Sequence, residues 1–153
     1  MTDVLVIFAA KYFYILAVCI FLYYGYTAEH RFAFIRLTLI TAALALVLSV
    51  VASALYYNPR PFMVTGVPPL VAHTPGNGFP SDHALLTGTL AAVMTMANPF
   101  LGGVLWLIAI VVGAGRVLAN VHHSIDVVTS FLIAAVSVLV VHYALRRYAK
   151  PGK

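Results

Sequence analysis

Three short stretches hold the residues able to do chemistry. The first is Arg116-Val-Leu-Ala-Asn-Val-His122-His-Ser-Ile-Asp126. His122 and Asp126 stand four apart, so they share one face if a helix begins here. A carboxylate bonded to one imidazole nitrogen fixes the tautomer and leaves the other nitrogen free to attack an electrophile. A solvated loop histidine near a helix-start aspartate would have the same sequence. The second stretch, Phe79-Pro80-Ser81-Asp82-His83, stands directly ahead of an apolar helical run. Ser81 is placed as an N-cap, and the free N–H groups and positive dipole end behind it make an anion site. His83, in the first turn, is placed to donate a proton to a group bound there. A capped helix with a surface histidine is the plainer alternative. The third stretch is Asn58-Pro59-Arg60-Pro61. Its prolines stiffen the backbone, and the planar guanidinium fork suits phosphate oxygens, although an arginine here also serves as an interfacial anchor. Two arginines, a helix N-terminus and two histidines together form a set suited to histidine-mediated phosphoryl transfer, which needs mainly positioning and charge neutralisation.

The elements that must position these residues are membrane helices. The chain is 63% hydrophobic and 8% charged, with mean hydropathy +1.00, whereas soluble domains carry about a quarter charged residues. About five segments have the length and apolar character to cross a bilayer. They run from Val4 to Tyr26, Phe34 to Tyr57, Ser81 to Ala97, Leu101 to Ala119 and Ile125 to Leu145. The third is short and rich in small residues, Gly88 and Thr89 among them, which suits packing inside a bundle. The expected fold is therefore all-α, a single polytopic membrane helix bundle over residues 1–153. The stretch Asn58 to Pro80 holds six of the eight prolines and reads as an irregular loop. It shares one face with the Arg116 to Ser124 stretch and the N-terminus. The opposite face collects Arg31, Arg36, Arg146, Arg147, Lys150 and Lys153, against Arg60 and Arg116 on the first. The positive-inside rule puts that opposite face, with the C-terminus, in the cytoplasm and the chemistry outside.

The same reading excludes other classes. Net charge is +5 and the pI near 9.6, but a basic tail after a hydrophobic segment is explained by topology, and no nucleic-acid partner is expected. Cys19 is the only cysteine, so neither an intrachain disulfide nor a cysteine metal site is available. Lys11 interrupts the first apolar stretch, and no cleavable signal peptide is expected.

Arg60-Pro61, then Pro80, Ser81 and His83, then Arg116, His122 and Asp126 resemble the tripartite signature of the type 2 phosphatidic acid phosphatase superfamily. That signature reads Lys-x6-Arg-Pro, Pro-Ser-Gly-His and Ser-Arg-x5-His-x3-Asp, and the resemblance covers roughly residues 36 to 145. Three positions depart from it: Ser53 stands at the lysine, Asp82 at the glycine and Gly115 at the serine. The run from His73 to His83 is similar to bacterial undecaprenyl-pyrophosphate phosphatases, where Ser-Asp-His is common. The family core commonly has six membrane helices, one more than is counted here. The resemblance implies a metal-independent, cofactor-free lipid phosphatase in which His122 forms a phosphohistidine, Asp126 orients it and His83 protonates the leaving oxygen. Arg60, Arg116 and Ser81 would hold the phosphate. The substrate implied is an isoprenoid diphosphate such as undecaprenyl pyrophosphate. Phosphatidic acid, phosphatidylglycerophosphate or lipid A phosphatases use the same machinery, and a non-catalytic polyprenyl-lipid binding or transport protein is the reading of another class. Lys11 is open between two roles: a snorkelling anchor, or a charge pointing into the bundle in place of the absent lysine at Ser53.

Overall fold

The structure is a computed structural model that describes residues 2–149; Lys150 and Lys153 lie outside them. It is all helix apart from loops: α1 (Thr2–Lys11), α2 (Phe13–Thr27), α3 (Arg31–Leu55), α4 (Pro61–Thr65), α5 (Asp82–Ala97), α6 (Pro99–Leu118) and α7 (Ser124–Ala149). The first expected segment is thus two helices broken at Tyr12. The backbone bonds Tyr12 N–H to Phe8 O and Ile15 N–H to Tyr12 O, both 3.0 Å, carry the chain through that break. Thr2–Thr27 together makes one apolar span of 26 residues.

Among the described residues, four helical runs are long and apolar enough to cross a membrane: Thr2–Thr27, Arg31–Leu55, Pro99–Leu118 and Ser124–Tyr148. Their outward faces carry Leu22, Leu39, Leu46, Leu107 and Leu139, all well exposed. In water such continuous apolar surface would drive association; in a bilayer it is the solvated surface, and the molecule is an integral-membrane bundle. The remaining segment, α5, has 16 residues and so reaches about 24 Å. It packs against α2, α3, α6 and α7 and is the most enclosed helix. Ala84, Gly88, Ala91 and Ala92 let its neighbours approach closely. Two of its hydroxyls bond back along the helix, Thr87 to His83 O and Thr95 to Ala91 O at 2.8 Å each, so neither seeks a partner in lipid.

Local chemistry sets the helix ends. Asn98 closes α5 and opens α6, its side chain accepting from Leu101 N–H at 3.1 Å, with Pro99 in the first turn where no N–H is needed. α3 stops as the chain turns extended at Tyr56, ahead of Asn58-Pro59. The Asn58–Pro80 stretch is less irregular than its prolines imply. It contains α4, started by Pro61, and an antiparallel bridge between Pro59 and Asn77. Two apolar cores result. The main one joins Phe21, Phe34, Met94, Leu105, Val112 and Val138. A smaller one, of Ala10, Val71, Ala119 and Val121, pins α1 and the long loop over one end of the bundle.

Candidate active site

The site lies at that end, where α3 stops, α5 and α7 start and α6 finishes. His122 precedes α7 rather than lying within it, so its pairing with Asp126 does not come from helical spacing. The chain turns at Asn120, φ 62°, and Asp126 in the first turn of α7 reaches back to accept the His123 N–H at 2.8 Å. That brings Asp126 Oδ2 to 3.4 Å from His122 Nδ1. A nearer acceptor for Nδ1 is the carbonyl of Gly78, at 2.8 Å. With its Nδ1–H donated to Gly78 and shared with Asp126, the imidazole is held with Nε2 unprotonated. Nε2 faces Arg60 Nη1 at 3.2 Å, and the same Nη1 donates to Val121 O at 3.1 Å. His122 is 2% exposed and Asp126 fully buried. Asn58 Nδ2 donates to Asp126 Oδ1 at 2.7 Å, which completes the carboxylate's partners.

Gly78 stands at a close approach. A Cβ there would sit 3.1 Å from Asp126 Oδ2 and 3.4 Å from Arg60 Cγ, between the two groups that flank His122. Asn77 fixes the loop beneath it, accepting from Asn58 N–H at 2.9 Å and Phe79 N–H at 3.0 Å.

Arg116 lies in the last turn of α6, not in the loop after it, and is 3% exposed. Its Nη1 donates to Ala10 O and its Nη2 to His73 Nε2, both at 3.3 Å. Ser81 occupies the N-cap position of α5 but makes no capping bond. Its N–H donates to Asp126 O at 3.2 Å and its carbonyl accepts from Ser130 Oγ at 2.9 Å. The hydroxyl is left buried and unpartnered, as are Nε of Arg60 and Nε of Arg116. Three buried polar groups without protein partners are costly unless a ligand satisfies them. His83 stands edge-on to Tyr14, ring centres 5.2 Å apart, within electrostatic reach of Arg116, His122 and His73.

Burial lowers the Arg60 guanidinium from the ordinary arginine value, and Asp82 and Asp126 pull it back up. His73 is lowered by burial first and then by the charges of Arg60 and Arg116. It is neutral near pH 7 and able to accept from Arg116.

The structure thus gathers Arg60, Ser81, His83, Arg116, His122 and Asp126 at one end of the bundle. Lys11 is not among them. Its side chain is exposed, with Nζ over the neighbouring Tyr12 ring at 5.3 Å. Of the two roles open for Lys11, the placement is that of the outward anchor and not of a charge pointing into the bundle: Lys11 ends α1 on the outward side, and the inward position is taken by the fully buried Ala10. Asn58, His73 and Gly78 belong to the constellation and were not singled out as site residues from the sequence. Gly78 and His73 both lie in the His73–His83 run, which was the available signal.

Residues 33–150 match the PAP2 superfamily. The chain belongs to that superfamily. Among PAP2 relatives, "Undecaprenyl-diphosphatase BcrC" of Bacillus subtilis (strain 168) is 29% identical over 97 residues, 63% of this chain and 50% of that protein. The matched region therefore spans half of that relative's length. "Bacitracin transport permease protein BcrC" of Bacillus licheniformis is 27% identical over 145 residues, 94% of this chain and 71% of that one. Aquifex aeolicus LpxE shares the fold with TM-score 0.76 at 20% identity, over 92% of this chain and 86% of its own. So does a transmembrane PAP2-type phosphatidylglycerolphosphate phosphatase from Bacillus subtilis, with TM-score 0.61 at 21% identity, over 97% and 76%. Two departures from the PAP2 signature acquire local reasons. A Cβ on Gly115 would lie 2.8 Å from Ala10 N and 3.0 Å from Ala9 C, so the serine's space is filled by the α1 backbone. Ser53, at the lysine position, is tied to Asn77 Nδ2 through both its Oγ and its carbonyl at 3.2 Å.

Proposed function

We propose that this PAP2 protein is a lipid phosphatase that removes the terminal phosphate of an isoprenoid diphosphate through a phosphohistidine at His122. The observation that carries the reading is the state of His122, with Nδ1 engaged by Gly78 O and Asp126 and Nε2 beside Arg60. In this scheme the Nε2 lone pair forms the N–P bond while the bond from phosphorus to the bridging oxygen breaks. Asp126 and the Gly78 carbonyl stabilise the imidazolium that results. Arg60, Arg116 and the Ser81 hydroxyl, with their unpartnered buried groups, hold the phosphoryl oxygens. His83 donates a proton to the leaving oxygen, then takes one from the water that hydrolyses the N–P bond and releases inorganic phosphate.

Two further observations favour a lipid with an isoprenoid diphosphate head. An apolar groove of about 190 Å³ between α2, α3 and α5 runs from Phe21 past Ala45 and Leu86 to Asp82, one residue from His83. In this scheme the lipid chain lies in that groove. The relative named an undecaprenyl-diphosphatase is 29% identical over 97 residues, 63% of this chain. The charge asymmetry, with Arg31, Arg36, Arg146 and Arg147 on the far face, favours a site on the outer surface of the cell membrane. The second relative is named a bacitracin transport permease, which favours a carrier over an enzyme. Phosphate release from purified protein offered polyprenyl diphosphate, phosphatidic acid or phosphatidylglycerophosphate separates these. The account expects release, with kcat/KM greatest on the diphosphate. Preference for a phosphatidyl substrate would overturn the isoprenoid assignment, and binding without release would favour the carrier.

A further inference from the structure

The end of the bundle opposite the site holds a second cavity, of about 510 Å³. It lies where the α2–α3 turn, the C-terminal end of α5 and the last turns of α7 meet. Arg36 reaches it from α3, and His142 and Arg146, one helical turn apart, from α7. His30 and Glu29 of the turn complete the polar wall. Beneath them the cavity is apolar, with Phe34 and Leu37 both buried.

We propose that this cavity binds the headgroup of an anionic phospholipid, at a site separate from the one that carries His122. Two guanidinium groups from helices far apart in sequence converge on one cavity against a single carboxylate. Among the described residues neither Arg36 nor Arg146 has an ion-pair partner. At the carbonyl end of α5, Tyr24 Oη donates to Ala97 O at 3.4 Å, which occupies one of the carbonyls that would repel an anion. A free phosphate would use only the basic rim, whereas a phospholipid uses the rim for its phosphate and the Phe34–Leu37 floor for its glycerol and first methylenes. Basic pockets between membrane helices at the interface recognise anionic headgroups in this way. Topology alone accounts for arginines at this face. It does not account for two of them sharing a cavity, while Arg31 lies over the Phe32 ring and lines another groove. A lipid held here would bridge α3 and α7, two of the helices that carry the site at the other end.

The test is a native mass-spectrometry titration of the detergent-purified full chain with short-chain phosphatidylglycerol. Phosphatidylcholine, phosphatidylethanolamine and inorganic phosphate serve as separate probes. Each arginine near a membrane surface contributes roughly a fivefold affinity factor. Arg36→Gln and Arg146→Gln should therefore each weaken phosphatidylglycerol binding about fivefold, and the double variant about twenty-fivefold. Arg147→Gln and Arg31→Gln, both outside the cavity, should bind as wild type does. If the double variant does not fold, the two single variants decide. Undiminished binding by the arginine variants would overturn the proposal. So would equal affinity for either zwitterionic lipid, or competition by inorganic phosphate at the lipid's own concentration.

Discussion

At Arg116 the guanidinium is held by the Ala10 carbonyl and by Nε2 of His73, so its direction depends on a histidine that stays neutral. His73 Nδ1 lies 3.3 Å from Ala72 O, which fixes the proton on Nδ1 and the lone pair on Nε2. Burial first, and then the charges of Arg60 and Arg116, lower its pKa, and protonation would also set N–H against N–H at Arg116. The sign of the linkage follows. Above about pH 6.5 the residue is neutral both folded and unfolded, and its contribution to stability is complete. As pH falls below that value the unfolded chain takes up the proton first, and stability is lost until the folded protein also protonates. The melting temperature should drop between about pH 7 and pH 5, and His73→Gln should drop less. Equal slopes for the two proteins would remove His73 from the account. His122, Asp126, Arg60 and His83 are legible in the sequence because their types and spacing are unusual in an apolar chain. Asn58, His73 and Gly78 are not, because they act across loops through contacts that sequence spacing does not show, Gly78 by its carbonyl and its lack of a side chain.

The helices themselves are legible from apolar length, since each buries or exposes a continuous run of Leu, Val, Ile and Ala. What length does not reveal is how the first segment meets the sixth helix. Gly115 admits the α1 backbone, and the contact places the Ala10 carbonyl on Arg116. Lys11, next in sequence, faces outward over Tyr12. Opposite outcomes are therefore expected from neighbouring changes. Gly115→Val pushes a side chain into Ala9 and Ala10 backbone, which should cost about 1–3 kcal/mol, a typical overpacking penalty. It should also lower kcat through Arg116. Lys11→Met should leave both melting temperature and kinetics unchanged. A Lys11→Met variant with impaired turnover would return the lysine to the site.

On the scale of the whole molecule, the bundle separates two polar ends by an apolar belt. One end collects Arg60, Arg116, His73, His83, His122, His123 and both site aspartates; the other collects Arg31, Arg36, Arg146 and Arg147, with His30 and His142. The bias predicts which end faces the cytoplasm. Cysteines at Val67, exposed on the site-end loop, and at Thr27, exposed at the far end, report this in a Cys19→Ser background. An impermeant thiol reagent on intact cells should label the Val67 position and spare Thr27. The reverse pattern would turn the site to the cytoplasmic leaflet.

The central claim is that His122 carries the phosphoryl group, and trapping that group tests it most directly. Purified protein would be mixed with polyprenyl diphosphate labelled in its terminal phosphate, then denatured rapidly in base. Wild-type chain should retain label with the acid lability and base stability of a phosphohistidine. His122→Ala, folded and inserted, should show neither label nor phosphate release. Label persisting on His122→Ala, or phosphate release at the wild-type rate, would contradict the account.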